Sequence, residues 1–218
     1  MGYMLASSNK LSYFSNHDRY CRIFSIFDKN QTMNASGFGT QPPCTFWLTG
    51  LSGAGKSTLA RLLKQELANR GHSCVILDGD EMRQGLCRDL GFSDKDRSEN
   101  IRRTAEVAAL LNRSGLYAIV ALISPSGADR ANARTLIGDP SMLEIYLSTS
   151  LAVCESRDPK GLYVRARAGN LPHFTGIDAP YEAPLSPQLT LDTARYSPAQ
   201  CVEQILGLLA PGRAPCKA

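Results

Sequence analysis

Eight consecutive residues, Gly50-Leu51-Ser52-Gly53-Ala54-Gly55-Lys56-Ser57, fit the pattern G-x-x-x-x-G-K-[ST]. Glycines at these positions let successive backbone N–H groups turn inward around a polyphosphate, and a following helix adds the positive end of its dipole. Lys56 then reaches the outer phosphates as a cation, and the Ser57 hydroxyl offers a hard oxygen to Mg²⁺. From average composition, the four fixed positions arise by chance in under about 1% of chains this long. The loop is therefore expected to hold a nucleotide.

A second cluster is acidic. Asp78-Gly79-Asp80 directly follows the apolar run Cys74-Val75-Ile76-Leu77, so both carboxylates are expected at a strand's carboxyl end, the ligand edge of an α/β sheet. Strand alternation puts them on the same side. One is expected to hold Mg²⁺ through water and the other to orient or deprotonate an attacking hydroxyl. Asp80, lying further beyond the strand, is assigned to the hydroxyl and, with Ser57, to the neighbourhood of the metal.

Arg83, Arg97, Arg102, Arg103, Arg130, Arg157, Lys160, Arg165 and Arg167 fall in stretches that the topology is expected to bring round this edge. Guanidinium forks bind two phosphate or sulfate oxygens at once, so as a set they point to an anionic second substrate. Phe92 and Phe174, each in a polar stretch, are candidates to stack on a flat ring. His17, His72 and His173 form no metal-ligand spacing, and no Ser/His/Asp or Cys/His triad is legible.

The elements that must position these groups alternate between strand and helix signals from Thr45 onward. A strand over 45–49 leads into the loop. A helix follows from Ser57, closed by Gly71, and Cys74–Leu77 reads as a second strand. Ser93 to Asp96 resembles a capping box opening a long helix that ends at Gly115. The run 117–123 is apolar on both faces, 128–137 reads as a helix, and 143–147 and 189–191 read as strands. A last helix has Ser197 as N-cap and Pro198 at its first position. The segment 157–187 is irregular, basic and rich in Gly and Pro. Repeated units of this kind give an α/β fold, a mostly parallel sheet with helices on both faces.

Composition agrees with one such domain. The chain has 218 residues, 43% hydrophobic and 20% charged, which excludes disordered and fibrous classes. A net charge of +4 is too mild for a nucleic-acid surface. No apolar run approaches the roughly 18 residues of a membrane helix. The seven cysteines are scattered without a C-x-x-C pair and read as reduced thiols of a cytoplasmic protein. Residues 1–44, rich in Ser and Asn with scattered aromatics, read as a flexible or weakly docked leader, with Met33 available as an alternative start; 45–218 is the domain. No N-K-x-D guanine signature and no long apolar strand ending in Asp-Glu is present, which favours a small kinase over a GTPase or motor.

Several runs are specific. Phe46-Trp47-Leu48-Thr49 before the loop, Leu77-Asp78-Gly79-Asp80, Asp89-Leu90-Gly91-Phe92-Ser93 and Glu99-Asn100-Ile101-Arg102-Arg103 resemble adenylylsulfate kinases. So do Ile123-Ser124-Pro125, Ala128-Asp129-Arg130, Arg157-Asp158-Pro159-Lys160-Gly161-Leu162-Tyr163 and the run from Phe174 to Glu182. The resemblance implies a P-loop kinase-type three-layer sandwich with a basic lid over 157–176. It implies transfer of the γ-phosphate of ATP, with Mg²⁺, to the 3′-hydroxyl of adenosine 5′-phosphosulfate, forming PAPS for sulfate assimilation, in a homodimer. Gly50 to Ser57 would bind the ATP phosphates, with Arg157 and the Asp192-Thr193 turn beside the adenine. Arg83, Phe92, Arg97, Asn100, Ile123, Ser124, Lys160 and Phe174 would hold the acceptor. Lys56 and Asp80 would carry the chemistry, and Ser124 is the residue that the family marks as a phosphoserine. A direct in-line transfer is simpler, because no base is evident beside Ser124 and phosphoryl transfer needs mainly positioning and charge neutralisation.

Three departures stand out: Glu81-Met82 for Asn-Ile, Ser126-Gly127 for Tyr-Arg, and His173 for Asn. They leave two other readings in view, a related kinase with another small anionic acceptor and a weakly active nucleotide-binding partner of a sulfate-activating enzyme.

Overall fold

The computed structural model describes residues 42–209. Most of the expected leader, with Met33 and Cys21, lies outside the described residues, as does Cys216. No helix among the described residues is long and apolar enough to cross a membrane.

Five strands form one parallel sheet in the order β2-β3-β1-β4-β5: β1 (Thr45–Thr49), β2 (Cys74–Asp78), β3 (Tyr117–Ala121), β4 (Met142–Leu147) and β5 (Leu189–Leu191). Every residue of β1 and β3 is buried, because helices cover both faces and leave no polar side to alternate toward. Phe46 and Leu48 point into a core shared with α1 (Lys56–Asn69) and α7 (Pro198–Leu206). Trp47 points the other way, among side chains of α3 (Asp94–Arg113) and α4 (Gly127–Ile137). The three layers expected from the sequence are present, with β1, which feeds the glycine loop, at the centre.

Local chemistry sets the helix starts. Ser93 Oγ accepts from the Asp96 N–H at the head of α3, and Ser197 closes a reciprocal capping box with Gln200 on α7, with Pro198 at the first position. Such a cap is worth about 1 kcal/mol. Three short helices were not foreseen: α2 (Gly79–Gln84), α5 (Leu151–Arg157) and α6 (Leu162–Arg167). Six or seven residues are too few for a 3.6-residue period to show. Their caps were the legible signal. Asp78 caps α2, Ser150 caps α5, and the Asp158 carboxylate accepts the N–H groups of Leu162 and Val164. The basic segment is therefore partly helical and not wholly irregular.

Candidate active site

The loop between β1 and α1 has the geometry its glycines imply. Gly53 sits at φ 75°, and a Cβ there would lie 2.7 Å from the Cys154 carbonyl oxygen; at Gly50 a Cβ would meet the Leu147 carbonyl at the same distance. Any side chain would push the loop off the strand and helix beneath it. Lys56 folds back across the loop, its ammonium donating to the carbonyls of Gly50 (2.8 Å) and Leu51 (2.7 Å). Desolvation by burial pulls its pKa down to about 8, against the pull of the nearby Asp78 and Asp80 carboxylates.

The two acids part company. Asp78 ends β2, accepts the Ser57 hydroxyl at 2.6 Å with one oxygen and caps the Asp80 N–H with the other. Asp80 is already inside α2, so strand alternation does not apply to it, and its exposed carboxylate pairs with Lys160. The expectation of two carboxylates on one strand face is thus corrected, and it is Asp78, not the expected Asp80, that stands beside Ser57. Ser57 and Asp78 form the donor set that fits Mg²⁺: hard oxygens, adjacent, at the mouth of the phosphate loop.

A single cleft of about 860 Å³ brings the rest together. Its phosphate half is lined by Ser52, Gly53, Gly55, Lys56 and Ser57, with Arg157 and Thr193. Arg157 donates to Thr193 Oγ1 (2.8 Å) and its carbonyl (2.9 Å), and Thr193 Oγ1 in turn donates to the Ala54 carbonyl (3.0 Å). Gly50, Leu51 and Ala54 do not line the cleft themselves; Ala54 is wholly buried and supports the loop from below.

The other half is lined by Arg83, Phe92, Arg97, Asn100, Ile123, Ser124, Lys160 and Phe174, all eight of the residues named for it from the sequence. The Arg83 guanidinium lies 4.3 Å from the centre of the exposed Phe92 ring. Arg97 donates to the Phe92 carbonyl (2.9 Å), to Thr175 Oγ1 (2.6 Å) and to the His173 carbonyl, tying α3 to the end of the basic segment. Phe174 is buried edge-on against Tyr163, whose hydroxyl donates to the Ser52 carbonyl at 2.9 Å. Asn100 is 4% exposed and its Oδ1 is the buried side-chain polar atom left without a partner among the described residues. An unsatisfied buried acceptor costs about 1–3 kcal/mol, and this one lies in the wall of the cleft.

Not every basic residue belongs here. Arg102 and Arg103 grip Glu99, holding its carboxyl down at about 2, and Arg103 also forks onto Asp89. Arg167 pairs with Glu155, and Arg130 is buried against Glu144. Carboxylates take all four: Glu99 lies one helical turn from Arg102 and Arg103, whereas Asp89, Glu144 and Glu155 lie 12 to 14 positions away, where no local pattern reveals them. Arg61 of α1 and Tyr196 line the cleft and were missed, for the same reason.

Ser124 is 3% exposed at φ 41°, and its hydroxyl accepts from Trp47 Nε1 (3.1 Å) and donates to Thr49 Oγ1 (3.0 Å). Among the described residues no carboxylate or imidazole is bonded to it. Of the three departures, Glu81-Met82 puts Met82 in the core and leaves exposed Glu81 off the cleft, Ser126 caps α4, and His173 lines the cleft with its N–H donating to Asp178 and its carbonyl accepting from Arg97.

A parallel α/β sheet whose central strand runs into a lysine-bearing glycine loop, with Mg²⁺-type oxygens beside it, defines a P-loop nucleotide-binding protein. Residues 42–192 match the family model described as adenylylsulphate kinase, and the chain belongs to that family. It is 50% identical over 169 residues to the adenylyl-sulfate kinase of Marinobacter nauticus, covering 78% of this chain and 85% of that one. Among solved structures, the Mycobacterium tuberculosis APS kinase in complex with AMPPNP and APS superposes with a TM-score of 0.75 at 46% identity, covering 77% of this chain and 98% of that one. The hexameric APS kinase from Thiobacillus denitrificans gives 0.58 at 33% identity, covering 78% of this chain and 29% of that one. Membership makes the chain an ATP-dependent kinase of sulfate assimilation.

Proposed function

We propose that this chain transfers the γ-phosphate of ATP to the 3′-hydroxyl of adenosine 5′-phosphosulfate, releasing ADP and forming PAPS. The observation that carries this reading is one cleft with two unlike halves, a phosphate loop facing a ring- and arginine-lined wall that ends in the unpartnered Asn100 oxygen. An anionic, ring-bearing acceptor matches the second half, with Phe92 and Phe174 for its adenine and Arg83 and Arg97 for its phosphosulfate.

In the transfer, the 3′-oxygen attacks the γ-phosphorus while the bond to the β,γ-bridging oxygen breaks, and the hydroxyl proton passes to Asp80. Lys56 and the loop amides hold the β- and γ-phosphates in line, which is most of what this reaction asks of a protein. Ser57 and Asp78 would hold Mg²⁺, which supplies charge neutralisation on the phosphate oxygens when bound. Lys160 exchanges its partner from Asp80 to the incoming phosphate, freeing that carboxylate to face the hydroxyl. Ser124 serves as wall and not as nucleophile, since both its neighbours are donors or acceptors without basic strength. The segment 157–176 closes over the reactants and keeps water out, so that ATP is not hydrolysed. The chain works as a homodimer in the cytoplasm, a reading supported by the family resemblance and by five unpaired thiols among the described residues.

Coupled ADP release with ATP and Mg²⁺ tests the activity. ADP is expected only when micromolar adenosine 5′-phosphosulfate is added, with PAPS identified by mass. Slow ADP release indifferent to the acceptor would overturn the substrate assignment. Light scattering on the eluting protein, giving twice the chain mass or some other multiple, decides the dimer.

A further inference from the structure

The wall of the acceptor half raises a question of support. Ser124 holds a left-handed backbone that costs a residue with a Cβ about 1–2 kcal/mol, and such a conformation persists only where its surroundings over-determine it. Around it the carbonyls of residues 123–125 are all engaged. Ile123 O accepts from Thr49 Oγ1 (2.7 Å), Pro125 O from the Glu182 N–H (2.9 Å), and Ser124 O from Arg130 Nη1 (2.7 Å).

Arg130 is 4% exposed and does not line the cleft. Its guanidinium spans three elements: Nε donates to Glu144 of β4 (2.8 Å), Nη1 to the Ser124 carbonyl, and Nη2 to the Glu182 carbonyl (2.7 Å). Glu182 returns the tie, its carboxylate accepting the Gly127 N–H at 2.6 Å. The Arg130 guanidinium also lies 5.8 Å from the centre of the Tyr181 ring, which itself stacks on Tyr146. Burial pushes the Tyr181 phenol up to about 12, so it stays protonated and donates to Thr49 Oγ1 (2.8 Å), whose own proton is committed to Ile123 O. Two routes thus run from residues 181–182 to the same three-residue wall.

We propose that Arg130 is a positioning residue for acceptor binding: it clamps the Ser124 and Glu182 carbonyls together and so sets the wall of the acceptor half without touching the acceptor. A planar fork with five donors can bridge three acceptors on separate segments, whereas an ammonium is a single point. Glu144 neutralises the buried charge and anchors it to the sheet. This inference rests on the function proposed above.

The test is steady-state kinetics of Arg130→Lys, which keeps the charge opposite Glu144 but cannot span the fork. The KM for adenosine 5′-phosphosulfate is expected to rise about tenfold, the equivalent of one lost buried hydrogen bond, with the KM for ATP unchanged within about twofold. Arg134→Lys is the control. Arg134 meets the same Glu144 carboxylate at 3.4 Å, and the Met142 carbonyl, but has no bond to the wall, so both KM values should stay put while the melting temperature falls as in Arg130→Lys. An unmoved acceptor KM in Arg130→Lys, a parallel rise in both KM values, or an equal acceptor effect from Arg134→Lys would each overturn the proposal. If Arg130→Lys does not fold, Tyr181→Phe decides: it keeps the stack and removes the bond to Thr49, and an acceptor KM raised about threefold supports the clamp, whereas no change refutes it. Wild-type protein without acceptor-dependent ADP release would instead overturn the reading of function.

Discussion

The two halves of the cleft are built by different means. The phosphate half comes from eight contiguous residues whose backbone does the binding, seated on β1 and α1 that flank it directly. Its long-range parts are few: Gly53 packs against the Cys154 carbonyl, Asp78 accepts from Ser57, and Arg157 and Thr193 donate to the Gly53 and Ala54 carbonyls. The acceptor half is assembled from α2, α3, the β3–α4 turn and the basic segment, and is held by side chains reaching across it. Arg97 to Thr175 spans 78 positions of the chain, and Arg130 to Glu182 spans 52. A contiguous site tolerates changes elsewhere in the molecule, whereas an assembled one can be disturbed from residues that never touch the ligand.

Substitutions should divide along that line. Lys56→Ala is expected to give the largest loss, about 10³-fold in kcat with the melting transition retained, because no other group can neutralise the transferring phosphate from within the loop. Near-normal turnover would remove Lys56 from the chemistry. Asp80→Asn should cost about 10²-fold in kcat, the lower range of a lost general base, and leave both KM values near wild type. On the acceptor side, Arg97→Ala should raise the acceptor KM about thirtyfold, the loss of a charged hydrogen bond of about 2 kcal/mol, and spare the ATP KM. A matched rise in both would mean that the two halves are not separate.

The pH dependence sharpens the phosphate side. Burial lowers Lys56 to about 8, so the free enzyme carries the cation below that pH and loses it above. kcat/KM for ATP should therefore fall as pH rises through 8, about tenfold for each unit beyond. Stability moves the opposite way: between about 8 and the ordinary lysine value of 10.5 the unfolded chain binds more protons, so the unfolding free energy rises with pH from this group. Smallest of all should be Ser124→Ala. A loss of less than about tenfold is expected from removing the bonds to Trp47 and Thr49, whereas an obligatory phosphoserine would make the enzyme inactive.

How far the sequence could be read follows the same division. The loop, the buried strands and the caps at Ser93 and Ser197 were legible because each rests on residues within a few positions of one another. The acceptor residues were named through a family resemblance; charge counting alone would have added Arg102, Arg103, Arg130 and Arg167. Helical spacing already offers Glu99 to Arg102 and Arg103, but only the fold brings Asp89 to Arg103, Glu144 to Arg130 and Glu155 to Arg167. The acid pair shows the limit at closest range. Asp78 and Asp80 are two residues apart, yet the switch from strand to helix at Gly79 sends one to Ser57 and the other to Lys160.

By itself, then, the sequence determined the alternation of strands and helices, the nucleotide loop and the chemistry that loop performs, since these depend on local backbone preferences and a short apolar period. The tertiary structure alone decided which charges face the cleft, that the Asn100 oxygen is buried there without a partner, and that Arg130 stands behind the wall and not in it. Hydrogen bonds and ion pairs between distant segments form only after the sheet has brought those segments within about 3 Å of each other, and no spacing along the chain encodes that distance.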